Sequence, residues 1–195
     1  LSSMIIDWRS KLNNSTLPFF IIQLPNFMQT HTYPSESGWA QLREAQRLVT
    51  TKLPNTALVV GLGLGEWNDI HPLNKKELAK RVALQAIRLA YNQEKNVSSG
   101  PVCISAKLED GKIALTFQKG TDDFLPVDSL EGFAIADKDG RYQWAKAQIS
   151  GNKILIWNEN IANPTMIRYA WDDNPKGNLR NKTGLPASPF QIKVE

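Results

Sequence analysis

The apolar run Leu58-Val59-Val60 ends in Gly61-Leu62-Gly63-Leu64-Gly65, and a helical pattern stands on each side of it. Few folds accept that order. A short, bulky, unalternated run between helices reads as a strand buried on both faces of a parallel sheet, because crossover helices cover both faces. In such sheets the loops leaving the carboxyl ends of the strands are free to carry chemistry. Here that loop is Glu66-Trp67-Asn68-Asp69-Ile70-His71-Pro72. A helix start follows at Asn74-Lys75-Lys76-Glu77, which has the form of a capping box.

The neighbouring segments fit the same sheet. Met4, Ile5 and Trp8 recur at helical spacing over residues 4 to 13, and Asn13-Asn14 can end the turn. Residues 17 to 24 form an apolar, β-branched run of strand length that Pro25 stops. A polar loop, 26 to 36, holds His31. Ser37 can cap a helix in which Trp39, Leu42, Ala45, Leu48 and Val49 face inward and Gln41, Arg43, Glu44 and Arg47 face outward. The helix opened by Asn74 runs to about Tyr91, with Leu78, Val82, Ala86 and Ala90 in one stripe.

Past Asn96-Val97-Ser98-Ser99-Gly100-Pro101 the texture changes. Short alternating runs are separated by Asp110-Gly111, Asp139-Gly140 and Gly151-Asn152, which are hairpin signals. The expected strands are 102 to 108, 112 to 118, 131 to 136, 141 to 149, 153 to 157 and 165 to 171, with a last one at 190 to 194 after a long loop. The chain therefore divides into an α/β part, residues 1–97, and an antiparallel β-rich part resembling a sandwich, residues 98–195.

The length of 195 residues suffices for a substantial core. No apolar run approaches the ~18 residues of a membrane span. The net charge of +4 is not clustered. Its densest patch, Lys75, Lys76, Lys80 and Arg81, reads as a solvated helix face, so nucleic acid is not an expected partner. The single cysteine, Cys103, lies in an apolar strand and reads as a buried small hydrophobe. It rules out an intrachain disulfide and a cysteine-based metal site.

His71 is the candidate for chemistry. An imidazole beside a sheet's carboxyl-end loop can act as a general base, and Asp69 is close enough to orient it. The competing reading is a surface turn before a capped helix. Glu66, Asp69 and His71 would also make a sensible oxygen–nitrogen ligand set, but no second histidine joins them, and no metal or cofactor is expected. His31 reads as an ordinary loop histidine. There is no Gly-x-Ser-x-Gly elbow. The glycines at 61, 63 and 65 fail the dinucleotide spacing, because position 66 is Glu.

The segment Asp69-Ile70-His71-Pro72-Leu73-Asn74-Lys75 resembles the sialate O-acetylesterase family of the SGNH (GDSL-like) hydrolases. Further matches in the same order are Met4-Ile5-Ile6-Asp7-Trp8-Arg9, Leu17-Pro18-Phe19 with Gln23-Leu24, Trp39 through Gln46, Ser99-Gly100-Pro101, Arg168-Tyr169-Ala170-Trp171 and Gly184 through Phe190. The resemblance implies the carboxyl-terminal half of a flavodoxin-like parallel sheet followed by a β-rich domain. It implies removal of O-acetyl groups from sialic acid or a related sugar by serine attack, with His71 as base, and export to the periplasm or beyond. The superfamily's usual acid lies three residues before the histidine. That position is Asn68 here, and the aspartate is Asp69, so the acid is either Asp69, a group from elsewhere, or absent. The family's serine and oxyanion blocks, of Gly-Gln-Ser-Asn and Gly-Glu-Ser-Asn type, are not in these residues. The expected partner is accordingly an amino-terminal portion carrying them, joined through the shared sheet.

Two other functions remain open on sequence. Trp144, Trp157, Tyr169 and Trp171 could present aromatic faces to sugars from the β part, although alternating aromatics more often fill a core. A structural fragment without activity is the third reading.

Overall fold

The computed structural model describes residues 1–93 and 96–195. Three helices and two parallel strands come first: α1 (Ser2–Lys11), β1 (Phe19–Ile22), α2 (Gly38–Lys52), β2 (Thr56–Val59) and α3 (Lys75–Leu89). β1 and β2 pair in parallel from Phe19↔Thr56 to Ile22↔Val59. The helix starts follow the expected capping chemistry. Ser37 Oγ accepts the Ala40 N–H at 2.9 Å, and Asn74 Oδ1 accepts the Glu77 N–H at 3.1 Å.

Burial differs from the sequence pattern at several places, Met4, Trp8, Ala45 and Leu48 being exposed among them, and one cause explains the two buried arginines. On α2, Arg43 is fully buried while Leu42 is 50% exposed, the reverse of the expected faces. On α3, Arg81 is buried rather than part of a solvated basic face. Where a chain leaves a sheet, its carbonyls lose their ladder partners and need donors. Arg43 supplies them to Leu24 and Pro25 after β1, and Arg81 to Val60 and Leu62 after β2, at 2.7 and 2.9 Å. Helical periodicity sees only the hydrophobic cost of an arginine and not this hydrogen-bonding gain. A further departure is Ile22, 49% exposed on a strand expected to be covered on both faces. Among the described residues β1 has only β2 beside it, so its other edge is open.

The remaining strands are β3 (Cys103–Glu109), β4 (Lys112–Phe117), β5 (Phe133–Ala136), β6 (Gln143–Trp144), β7 (Lys146–Ser150), β8 (Lys153–Trp157), β9 (Met166–Tyr169) and β10 (Phe190–Lys193). They form two antiparallel sheets ordered β10-β9-β5-β6 and β3-β4-β8-β7. The β3–β4 hairpin turns on Asp110 and Gly111 at φ 49° and 74°, the left-handed pair of a type I′ turn. The expected single strand 141 to 149 is instead two strands. It pairs with β5 at Trp144, passes Ala145, and joins β8 in the other sheet from Lys146.

Ile113, Leu115, Ile154 and Ile156 from one sheet share a core with Phe133, Ile135, Ile167, Tyr169 and Phe190 from the other. Cys103 lies in this core, and burial pushes its thiol up to about 12, with Arg47 and the Ser105 backbone contact pulling back less strongly. It is an inert small hydrophobe, as its place in the sequence suggested. Among the described residues no helix is long and apolar enough to cross a membrane.

Val60 and Leu62 also belong to that core. The glycine run thus plugs the end of β2 into the β-rich part, and the glycines are there for approach rather than for phosphate. A Cβ on Gly61 would fall on the Gln23 carbonyl, and one on Gly65 on the Asn26 backbone. Gly63 sits at φ +78° and gives its N–H to Asn26 Oδ1 at 2.7 Å. Gly65→Ala is expected to cost about 1–3 kcal/mol, because the obstructing atoms are backbone and cannot rotate away. Urea unfolding checks this, and an unchanged midpoint would contradict the packing described.

Candidate functional site

Three loops meet at the carboxyl end of the two parallel strands. The loop after β1, the loop after β2 and the 172–176 segment are tied through buried Asn26, whose Nδ2 donates to Asn174 Oδ1 (2.9 Å) and the Pro175 carbonyl (3.1 Å). Met28 N–H donates to the Trp67 carbonyl at 2.9 Å, so the first two loops also touch directly. Arg43 Nη1 and Nη2 reach the carbonyls of Asp172 and Asp173 at 2.6 and 2.8 Å. The loop bearing His71 is therefore mounted on a stiff base.

The His71 ring itself is open, with 84% of its side chain exposed. Asp69 Oδ1 accepts the His71 backbone N–H at 2.7 Å, the closure of an Asx turn. The same oxygen lies 3.3 Å from His71 Nδ1, an ion-pair contact rather than a ring hydrogen bond. Asp69 thus shapes the turn first and lies beside the imidazole second. The structure brings these two predicted residues together, and Asn68 lies between Trp67 and Asp69 in the turn. Glu66 and Asp69 form a backbone bridge, but Glu66, Asp69 and His71 do not gather as a ligand group.

His31 is the residue whose surroundings sequence did not show. Its Nδ1 lies 2.6 Å from Asp172 Oδ1, and its backbone N–H donates to Asp172 Oδ2 at 3.0 Å. Asp172 is 141 residues away in sequence, and no local signal joins the two. The hydrogen bond and charge of Asp172 raise the His31 pKa, against a smaller opposing effect of burial and with a little help from Asp173. Asp173 in turn accepts the Ser37 hydroxyl at 2.5 Å.

His31, Asp172 and Asp173 could offer three atoms to a metal ion. The donor set argues against it. Asp172 Oδ1 already accepts His31 and the Asp173 N–H, Asp173 Oδ1 accepts Ser37, and the Arg43 guanidinium sits against both backbone carbonyls. A cation bound through Asp172 Oδ1 or Asp173 Oδ1 would have to displace these donors. The cluster is a hydrogen-bonded clasp between the β1 loop and the end of β9.

The sign of the His31 shift makes a prediction. A histidine whose pKa is higher folded than unfolded adds stability below its unfolded value, near 6.5, and loses it as pH rises through the folded value. The difference in Tm between the wild type and His31→Gln is expected to be larger at about pH 5.5 than at about pH 8.5. Equal differences at both pH values would sink the assignment.

Comparison with known proteins now bears on the geometry. No family model matches the sequence. Sialate O-acetylesterase from Mus musculus is 25% identical over 98% of this chain, and that from Homo sapiens 24% identical over 96%. The chain spans 40% of the length of each. The crystal structure of a carbohydrate acetylesterase from Xanthomonas citri superposes with a TM-score of 0.89 at 37% identity, over 98% of this chain and 44% of that one. The chain is a relative of the sialate O-acetylesterases. Its α/β architecture with mixed sheets is that of a carbohydrate acetylesterase. The match runs through both the parallel strands and the β-rich sheets, so the relationship does not rest on the His71 loop alone.

Proposed function

We propose that this chain supplies the histidine wall of a carbohydrate ester hydrolase that removes O-acetyl groups from sialic acid or a related sugar. The likeness to the Xanthomonas citri carbohydrate acetylesterase, at 37% identity over nearly the whole chain, carries this reading. The exposed His71 ring on the loop beyond β2 supports it, because a proton acceptor must be open to a nucleophile it does not share a loop with. In the proposed reaction a serine hydroxyl attacks the acetyl carbonyl while His71 takes its proton. The imidazolium then protonates the departing sugar oxygen, and water reverses the sequence to release acetate. Asp69 holds the turn and places a carboxylate beside the imidazolium.

The reading puts the serine and the oxyanion donors on an amino-terminal portion of the same enzyme. The open edge of β1 suits a further parallel strand. In this picture residues 1–97 complete a flavodoxin-like sheet and residues 98–195 form a sandwich-like domain, in a protein of the periplasm or exterior. Acetate release from an O-acetylated sugar tests it. The 195 residues alone are expected to release none, and the enzyme carrying both portions to release it. Hydrolysis by this chain alone would refute the placement of the nucleophile.

A further inference from the structure

A cleft of about 450 Å³ opens between the loop after β1 and the edge of the β-rich part, and none of its lining comes from the Asp69–His71 turn. That size is within the roughly 300–1,000 Å³ of small-ligand sites. Its walls come from sequence-distant segments: His31 and Thr32, Glu131, Trp144, and Trp171 with Lys176.

The side chains in it are of the kind that hold a sugar. Trp144 is 44% exposed, and its Nε1 donates to the Thr32 carbonyl at 2.9 Å. The indole is therefore pinned by its polar edge and leaves ring surface available for stacking. Asp172 Oδ1 accepts the hydrogen bond of His31 Nδ1, so Nε2 is the nitrogen left for a ligand. The His31 side chain is 37% exposed, with the Tyr33 ring 6.0 Å away and no other side-chain hydrogen bond among the described residues. Trp171 lies 92% buried on the wall, with an indole N–H that finds no hydrogen-bond partner among the described residues.

Charge narrows the ligand. Lys176 and Glu131 are both exposed and in no ion pair among the described residues, and the charge of His31 is met by Asp172. Cation and carboxylate balance, so the cleft offers donors and acceptors without a net field. That favours a polyhydroxyl over an ion.

We infer that this cleft is a subsite for an uncharged pyranose ring, stacked on Trp144 and hydrogen-bonded through His31 Nε2, Lys176 and Glu131. It rests on the reading of the protein as a sugar ester hydrolase, and it adds that the sugar held here is neutral. The β1 loop joins the cleft to the catalytic side, since Met28 of that loop is bonded to Trp67 of the His71 loop. The cleft would hold the part of a glycan next to the acetylated residue.

Calorimetry of the full enzyme with methyl glucoside, methyl galactoside and methyl mannoside tests this, with N-acetylneuraminate as the charged comparison. At least one neutral glycoside is expected to bind more tightly than N-acetylneuraminate. Trp144→Ala and His31→Gln are each expected to weaken it about tenfold or more. Lys176→Ala, at a surface position that folding tolerates, should weaken it several-fold. His71→Ala should leave this binding intact while removing acetate release, which separates the cleft from the catalytic reading. Loss of hydrolysis in none of the His71 variants would remove the proposed function but not the subsite. No binding by any glycoside, tighter binding of N-acetylneuraminate, or binding indifferent to Trp144 and Lys176 would each overturn the inference.

Discussion

His71→Ala, in the enzyme that carries both the serine-bearing portion and this chain, is expected to lower kcat for acetate release by about 10³-fold. Stability should hardly change, because the ring is 84% exposed and holds nothing else in place. The companion substitutions at Asp69 divide its two roles. Asp69→Asn keeps an oxygen able to accept the His71 N–H, so the turn survives and only the charge is lost. Asp69→Ala loses both. If Asp69 serves chiefly through the turn, the asparagine variant keeps most of the activity and the alanine variant does not. If the carboxylate is the acid of a triad, Asp69→Asn falls about as far as His71→Ala. Full activity in His71→Ala would end the catalytic reading of this loop.

Several elements were legible in the sequence because their causes are local. The helices starting at Ser37 and Asn74 are fixed by caps three residues long, and the Asp110-Gly111 hairpin by two left-handed residues. The Asp69–His71 turn also follows from adjacent residues. What could not be read depends on partners far away. His31 looks like any loop histidine until Asp172 is placed beside it, 141 residues on. The aromatics divided for the same reason. Tyr169 and Trp171 went inward as expected, while Trp144 stayed at the surface because its sheet ends at β6 and its N–H is taken by Thr32. The strand expected over 141 to 149 was one run by pattern, and its division between sheets follows from the strands beside it, β5 at Trp144 and β8 from Lys146.

The largest stability effect is expected at Arg43, which pattern placed in solvent. Its side chain makes four hydrogen bonds, to the carbonyls of Leu24, Pro25, Asp172 and Asp173, at 2.6–2.9 Å. Burial pulls its pKa down to about 10, while Asp173 and Asp172 push back up, so it remains a cation at neutral pH. Arg43→Met keeps much of the volume and removes every donor. The carbonyls of Leu24 and Asp172 would then lose their donor, while Pro25 keeps the Trp39 indole N–H and Asp173 keeps the Phe27 N–H. An unpaired buried acceptor costs about 1–3 kcal/mol, and relaxation recovers part of the sum. A loss of about 3–5 kcal/mol is expected, enough to unfold a marginally stable domain. Arg43→Lys should recover only part of it, because one ammonium cannot reach carbonyls fanned around a planar fork. Urea midpoints for the three proteins check this order. A methionine variant as stable as the wild type would mean that the carbonyls find other donors, and that Arg43 does not hold the loop after β1 to the 172–173 segment.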